Sequence, residues 1–241
     1  MKQRTRDALF YVTAIVCCLL TVLLMANAFV KVDQNVAANA SANDLPVILL
    51  DAGHGGEDGG AGENGVQEKD VNLAVALQLR EFLEMSGFRV VMTRETDVSI
   101  HDDSASTIRE KKVSDLHNRL KLIEQYPGCT FISIHQNQFE QSQYHGAQMF
   151  YSKNDERSKL LAEKLQQSFV SLLQPDNERE VKAATKDIYL LWNAQVPAVI
   201  VECGFLSNPE EAAKLKDPGY QKDLAFTIYT GFLRYWQEVG T

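Results

Sequence analysis

The stretch PVILLDAGHGGEDGGAGENG, residues 46–65, joins a short apolar run to a loop that is rich in glycine. The run at 46–51 predicts a buried strand, and seven of the chain's 14 glycines follow it within residues 51–65. Such a loop can cradle a phosphate. Here, however, the one G-x-G-x-x-G match, at residues 60–65, does not directly follow the predicted strand, no G-x-x-x-x-G-K-[ST] sequence occurs, and the loop is acidic. Its most informative residue is therefore His54, directly after the strand.

Beyond this loop, strand-like and helix-like segments alternate along the chain. Strands separated by helices indicate βαβ units, which build a mostly parallel sheet covered on both faces. We therefore predict a single α/β domain over residues 45–241, with a twisted, mostly parallel sheet and helices on both faces. The predicted strands are 46–51, 88–93, 130–135, 146–151 and 198–203, and the predicted helices are 69–86, 114–125, 156–173 and 219–237.

The N-terminal 30 residues predict export of this domain. Three basic residues lie among the first six, and no charge occurs from residue 8 to residue 30. That uncharged stretch exceeds the roughly 20 residues that a membrane-spanning helix needs. An Ala-Asn-Ala sequence at 26–28 also has the form of a signal-peptide cleavage site. Residues 1–30 are thus either a signal peptide or a membrane anchor, and 31–44 are a linker. Both alternatives place the domain outside the cytoplasmic membrane.

Charge and cysteine content exclude two classes of protein. The formal net charge is −8, with no basic block beyond the first few residues, which argues against nucleic-acid binding. Four cysteines are too few for a disulfide-built scaffold. Cys129 and Cys203 belong to the exported domain, at the entry of one predicted strand and the exit of another. Parallel strands would hold them roughly 16 Å apart, so we predict no disulfide between them.

The chemistry is predicted at the carboxyl ends of the strands, where ligands gather in open parallel sheets. His54, His135 and Glu202 each lie at such an end, and Glu68 opens the following helix. Two imidazoles and one carboxylate form a catalytic zinc set, and a second carboxylate can act as general base. A histidine after a strand is commonly structural, and a glutamate at a helix start commonly complements the helix dipole. Spacing does not decide which glutamate is the ligand.

Four motifs in this order resemble the zinc-dependent N-acetylmuramoyl-L-alanine amidases of the bacterial cell wall. The motifs are LDAGHGGEDGGA (50–61), EKDVNL (68–73), SIHQN (133–137) and VECGFLSNPEE (201–211). The resemblance spans residues 46–237. It implies that His54, Glu68 and His135 hold one Zn²⁺ and that Glu202 is the catalytic carboxylate.

Within this family the chain is most similar to the spore cortex amidases. The resemblance implies peptidoglycan as substrate, cleavage between N-acetylmuramic acid and L-alanine, and a role in forming muramic-δ-lactam. Asn137 and Arg94 are candidate substrate contacts, although both could equally pack the loop and the sheet edge. Some relatives carry a long helix between the strand that ends in Ser-Ile-His and the next strand, and this helix blocks the zinc. Here only residues 136–145 separate the two predicted strands, so such a helix is not expected.

Two other functions are compatible with the same residues. The first is a zinc peptidase that cuts within the stem peptide, and the second is a membrane-tethered wall-binding module without turnover. Glu202 argues against the second, since binding needs no base beside the metal. The domain carries no wall-binding repeats and no basic surface run. We therefore expect a membrane tether or a helper protein to bring it to its insoluble substrate.

Overall fold

In the computed structural model, which describes residues 45–240, a six-stranded sheet forms the centre of the domain. Across the sheet the strands are β4 (Arg89–Met92), β1 (Val47–Ala52), β5 (Thr130–Asn137), β8 (Ala198–Phe205), β6 (Gln148–Tyr151) and β7 (Lys182–Ala183). The first four strands are parallel, and β6 runs antiparallel to β8. The mostly parallel sheet is thus confirmed. A separate short hairpin consists of β2 (Gly62–Glu63) and β3 (Val66–Gln67).

Six helices accompany the sheet within the described residues. They are α1 (Glu68–Met85), α2 (Ile108–Gln125), α3 (Arg157–Leu172), α4 (Tyr189–Asn193), α5 (Pro209–Leu215) and α6 (Pro218–Val239). Helices α1 and α3 contact the sheet, and α6 packs against both. On the other face, Ile123 of α2 and Leu191 of α4 join the cluster that contains Phe131 and Ile200. Helices therefore cover both faces, as predicted.

Helix α2 begins earlier than the sequence analysis expected. Its first residue is Ile108, whereas the predicted helix begins at residue 114. The Thr107 side chain accepts from the Glu110 main-chain N–H, and the Glu110 carboxylate accepts from the Thr107 main-chain N–H. This capping box satisfies donors that a helix start leaves free, so the charged segment after it is helical.

The predicted N-terminal segment and linker, residues 1–44, lie outside the described residues. The choice between a signal peptide and an anchor therefore remains a prediction. Within residues 45–240, no helix combines the length and the apolar character needed to cross a bilayer.

Candidate metal centre

Three parallel strands bring the sequence-predicted residues to one edge of the sheet. His135 of β5 lies directly opposite Glu202 of β8, and His54 follows β1, the other neighbour of β5. The rings of His54 and His135 stand edge to face with centroids 5.0 Å apart. One donor atom each from His54, Glu68 and His135 lies within 4.8 Å of the other two, so the three residues could hold a metal ion.

Close approach of the loop backbone explains why glycines surround these candidate ligands. A Cβ at Gly53 would lie 2.3 Å from the ring of His135. A Cβ at Gly60 would lie 2.5 Å from the Glu68 carboxylate and 2.7 Å from the His54 ring, and Gly60 has φ +66°. Any side chain at these two positions would displace the histidines or the carboxylate. The glycine-rich sequence therefore serves close packing around the site, and not phosphate binding.

Glu68 is the hub of the cluster because its two oxygens face different histidines. Oε1 is 2.8 Å from His135 Nδ1, and Oε2 is 3.2 Å from His54 Nε2. The main-chain N–H groups of Gln136 and Ala61 also donate to these oxygens, at 3.1 and 2.8 Å. Burial alone would raise the pKa of Glu68. The hydrogen bonds and charges of both histidines outweigh burial and hold that pKa well below its usual range. The carboxylate is thus ionised, as a metal ligand must be.

A further carboxylate orients His54 from behind. Asp58 Oδ2 is 3.0 Å from His54 Nδ1, the ring nitrogen that faces away from Glu68. Burial lowers the pKa of His54, but the hydrogen bonds to Asp58 and Glu68 raise it to about 9. Metal-binding histidines commonly donate their second ring N–H to a carboxylate in this way. The donor set and its support therefore fit a bound zinc ion. Asp58 was not among the predicted site residues, although it lies within the glycine-rich loop.

Glu202 differs from the other carboxylates of the site. Its Oε2 is buried and has no hydrogen-bond partner among residues 45–240. Burial raises the pKa of Glu202 to about 7, because His135 lowers it less than desolvation raises it, and Glu68 adds repulsion. An unpaired carboxyl group that titrates near neutral pH can take up and return a proton.

A buried arginine ties the loop to the core. Arg119 of α2 pairs with Asp51 and Asp115, and its Nη2 donates to the His54 carbonyl oxygen at 2.8 Å. Thr93 and Ser133 donate to the Asp51 carboxylate as well. Arg119 was not among the residues predicted from the sequence. Asp51, a charge at the end of an apolar strand, was the only signal that a buried partner was needed.

The two candidate substrate contacts have different surroundings. Arg94 is 3% exposed and donates to the carbonyl oxygens of Ala52, Gly53, Lys69 and Thr96. These bonds favour packing of the loop, the alternative that the sequence left open. Asn137 is half-buried and lines a cavity of about 290 Å³ beside the site.

The remaining histidines lie outside the cluster. His101 Nδ1 is 2.9 Å from Ser99 Oγ, and the His117 ring lies beside Tyr189 with centroids 5.4 Å apart. The segment 138–147 between β5 and β6 contains no helix, as expected, so no helix there covers the cluster.

Fold and site together define an α/β protein with the residues of a metal-dependent hydrolase at the carboxyl edge of its sheet. The family model for N-acetylmuramoyl-L-alanine amidase matches residues 48–234. The chain belongs to this family, and its sequence identifies it as an enzyme of that class.

Within this family, the chain is similar to several individual amidases. The germination-specific N-acetylmuramoyl-L-alanine amidase of Bacillus subtilis is 38% identical over 198 residues, covering 80% of this chain and 81% of that protein. A solved structure of the CwlD amidase from Clostridioides difficile, in complex with the GerS lipoprotein, is 44% identical with a TM-score of 0.77. It covers 80% of this chain and 99% of that one. An N-acetylmuramoyl-L-alanine amidase from Clostridium difficile 630 is 27% identical with a TM-score of 0.69, covering 81% and 99% of the two chains.

Proposed function

We propose that this protein is a zinc-dependent amidase that hydrolyses the bond between N-acetylmuramic acid and L-alanine in peptidoglycan. The observation that carries the proposal is that a candidate metal-binding group lies beside an unpaired carboxyl group. Three close donor atoms from His54, Glu68 and His135 could hold the metal, and the unpaired carboxyl group of Glu202 lies one strand away. Membership of the N-acetylmuramoyl-L-alanine amidase family supports the identity of the bond that is cut.

His54, Glu68 and His135 would be the zinc ligands. A zinc ion bound there supplies Lewis acidity, which makes water a better nucleophile and polarises the carbonyl of the scissile amide. The protein's contribution is to hold the ligands in place. Asp58 fixes the His54 ring through Nδ1, while Arg119 and Arg94 hold the main chain of the loop.

Glu202 would be the general acid and base. Its carboxylate takes a proton from the attacking water, and the resulting carboxylic acid returns the proton to the amino group of L-alanine as that group leaves. The buried, unpaired oxygen and a pKa near 7 suit both steps at neutral pH. No protein group within the described residues competes for that oxygen, so the proton can be passed to the substrate.

The relatives support a proposal for the cellular setting. Similarity to a germination-specific amidase and to the CwlD amidase supports action on the spore cortex. Removal of the stem peptide there would prepare muramic acid for lactam formation. We propose that residues 1–30 direct the domain across the cytoplasmic membrane, as a cleaved signal or as an anchor, and that 31–44 link the two. Because the CwlD amidase was solved with a lipoprotein, a helper protein is also proposed for this chain.

Product analysis tests the activity. The full chain, supplied with zinc, should be incubated with isolated peptidoglycan, and soluble products should be examined by mass spectrometry. We expect stem peptides with a free L-alanine amine and glycan strands with unsubstituted muramic acid. L-Alanine left on muramic acid would indicate a peptidase. An absence of release, equal with and without chelator and also in the presence of a lipoprotein partner, would indicate a binding module.

A further inference from the structure

The cavity beside the site continues the row of residues that contains Glu202. Across the sheet, His135 lies opposite Glu202, and Glu202 lies opposite Gln148 of β6. Gln148 lines the cavity of about 290 Å³, together with Asn137 and Phe205 at the ends of β5 and β8. Adjacent strands are about 4.8 Å apart, so the cavity opens about one strand spacing from the Glu202 carboxyl group.

The charge of this cavity is opposite to that of the protein. Arg179 and Lys182 are the charged side chains that line it, and no carboxylate lines it, although the chain carries a net charge of −8. Within residues 45–240 neither cation has an ion-pair partner. Two unpaired cations in one cavity of an acidic protein indicate an anionic ligand.

Arg179 is fixed in position before any ligand arrives. Its Nε donates to the His145 carbonyl oxygen at 2.8 Å, and its Nη1 donates to Gln148 Oε1 at 3.1 Å. The guanidinium lies 4.5 Å from the centroid of the Phe205 ring. These contacts leave Nη2 without an acceptor in the part of the chain that the structure describes. A planar guanidinium held in this way suits a carboxylate, and Lys182 adds a second, exposed charge.

We propose that this cavity is the subsite for the stem peptide, and that Arg179 and Lys182 bind its carboxylates. The inference rests on the proposed amidase function. On the other side of the scissile bond the lactyl carboxyl group is engaged in the amide, so it carries no charge. The stem peptide is the substrate part that carries free carboxylates, and its first residue must lie beside Glu202. Arg179 and Lys182 are therefore specificity residues that act on binding, and not on the chemical step.

A matched pair of substrates tests the proposal in the zinc-loaded full chain. One is an N-acetylmuramoyl peptide with a free-carboxylate stem, and the other has the same stem with every carboxylate amidated. For the acidic stem, Lys182→Gln should raise KM about threefold, typical of an exposed ion pair, and Arg179→Gln about tenfold. In both variants kcat should stay within twofold. Neither variant should change KM for the amidated stem. The control Lys222→Gln removes an exposed charge on α6 and should change nothing.

Binding of the free acidic stem peptide to the full chain, measured by isothermal titration calorimetry, separates this proposal from the proposed activity. Tighter binding of the acidic peptide than of its amidated form, with loss in Lys182→Gln, supports the subsite even if the native protein cleaves neither substrate. Equal binding of both peptides, or equal losses in Lys182→Gln and Lys222→Gln, overturns it while leaving amidase activity intact. Lys182 makes no side-chain hydrogen bond within residues 45–240, so Lys182→Gln keeps the test independent of folding.

Discussion

The guanidinium of Arg119, in the middle of α2, donates a 2.8 Å hydrogen bond to the main-chain carbonyl oxygen of His54. The same guanidinium pairs with Asp51 at the end of β1 and with Asp115 one turn earlier in its own helix. The position of a candidate metal ligand is therefore set by a buried ion network in the core. Changes in that network should alter both the stability of the domain and the geometry of the site.

Replacement of Arg119 should be strongly destabilising. Arg119→Met leaves Asp51 charged, 1% exposed and without its main partner, which typically costs about 3–5 kcal/mol in the free energy of unfolding. Urea unfolding followed by circular dichroism measures the loss. Arg80→Met is the matched control, because Arg80 pairs with the exposed Glu95 and its loss should cost less than about 1 kcal/mol. Equal midpoints for the two variants would show that the buried network does not stabilise the fold.

Acid should remove part of this stability. Burial alone would raise the pKa of Asp51, but the charge of Arg119 and the hydrogen bond from Ser133 lower it below its usual value. A carboxylate with a depressed folded-state pKa stabilises fully above its unfolded pKa of about 3.9, and that stabilisation is lost as the pH falls through the folded value. The urea midpoint should fall as the pH is lowered below about 4. Asp51→Asn should start less stable and depend less on pH; an unchanged pH dependence would assign the effect to other carboxylates.

Zinc removal should abolish turnover and leave the fold intact. The domain buries its own core on both faces of the sheet, and a chain of this length does not require a metal to fold. Chelated protein should retain its far-UV circular dichroism and regain activity when zinc is restored. Global unfolding on chelation would make the metal structural.

The parts of the fold that sequence predicted are those with long periodic patterns. The apolar runs at β1, β5 and β8 and the amphipathic pattern of α1 appear close to their predicted bounds. The two-residue strands β2, β3 and β7 are too short to show a period. The start of α2 was missed although Thr107 and Glu110 have the spacing of a capping box, because the segment after Thr107 is mostly charged.

The residues of the site also divide into those that the sequence predicted and those that it did not. His54, Glu68, His135 and Glu202 could be grouped because parallel strands end at one edge. Their supporting partner could not be found, because Arg119 is 68 positions away from Asp51 in the chain and only the packing of α2 brings the two together. The positively charged cavity could not be predicted from the sequence either, since Arg179 lies in a loop that has no hydrophobic periodicity.

Glu202 and His135 should have separable roles. Glu202→Gln should retain zinc and lose about 10²–10⁴-fold in kcat, because the base is removed while the ligands stay. His135→Ala should lose both zinc and turnover. Metal content per chain, measured on purified proteins, distinguishes the two, and Glu210→Gln on the exposed start of α5 is the control. A folded Glu202→Gln protein without zinc would mean that Glu202 is a ligand and that Glu68 is the base.

The last prediction concerns Cys129 and Cys203, which should remain thiols in the exported protein. Both are free in the structure, as predicted from the sequence, and both are buried. Their separation follows from the register of β5 and β8, in which Phe131 lies opposite Ala198 and His135 opposite Glu202. Cys129 therefore precedes the first paired residues and Cys203 follows the last of this run. Cys203 is level with residue 136, seven residues along from Cys129, so the two cysteines lie roughly 23 Å apart at about 3.3 Å per residue.

A disulfide needs Cα atoms within about 7 Å, which this arrangement forbids. Burial also raises the pKa of the Cys129 thiol to about 11, and it raises that of Cys203 further, so neither is a reactive thiolate at neutral pH. Alkylation of denatured, unreduced protein, followed by peptide mass spectrometry, should label both residues, whereas native protein should be labelled slowly. A disulfide-linked pair of peptides in monomeric protein would contradict the parallel register of β5 and β8. The convergence of His54, His135 and Glu202 depends on that same register, so it would lose its support as well.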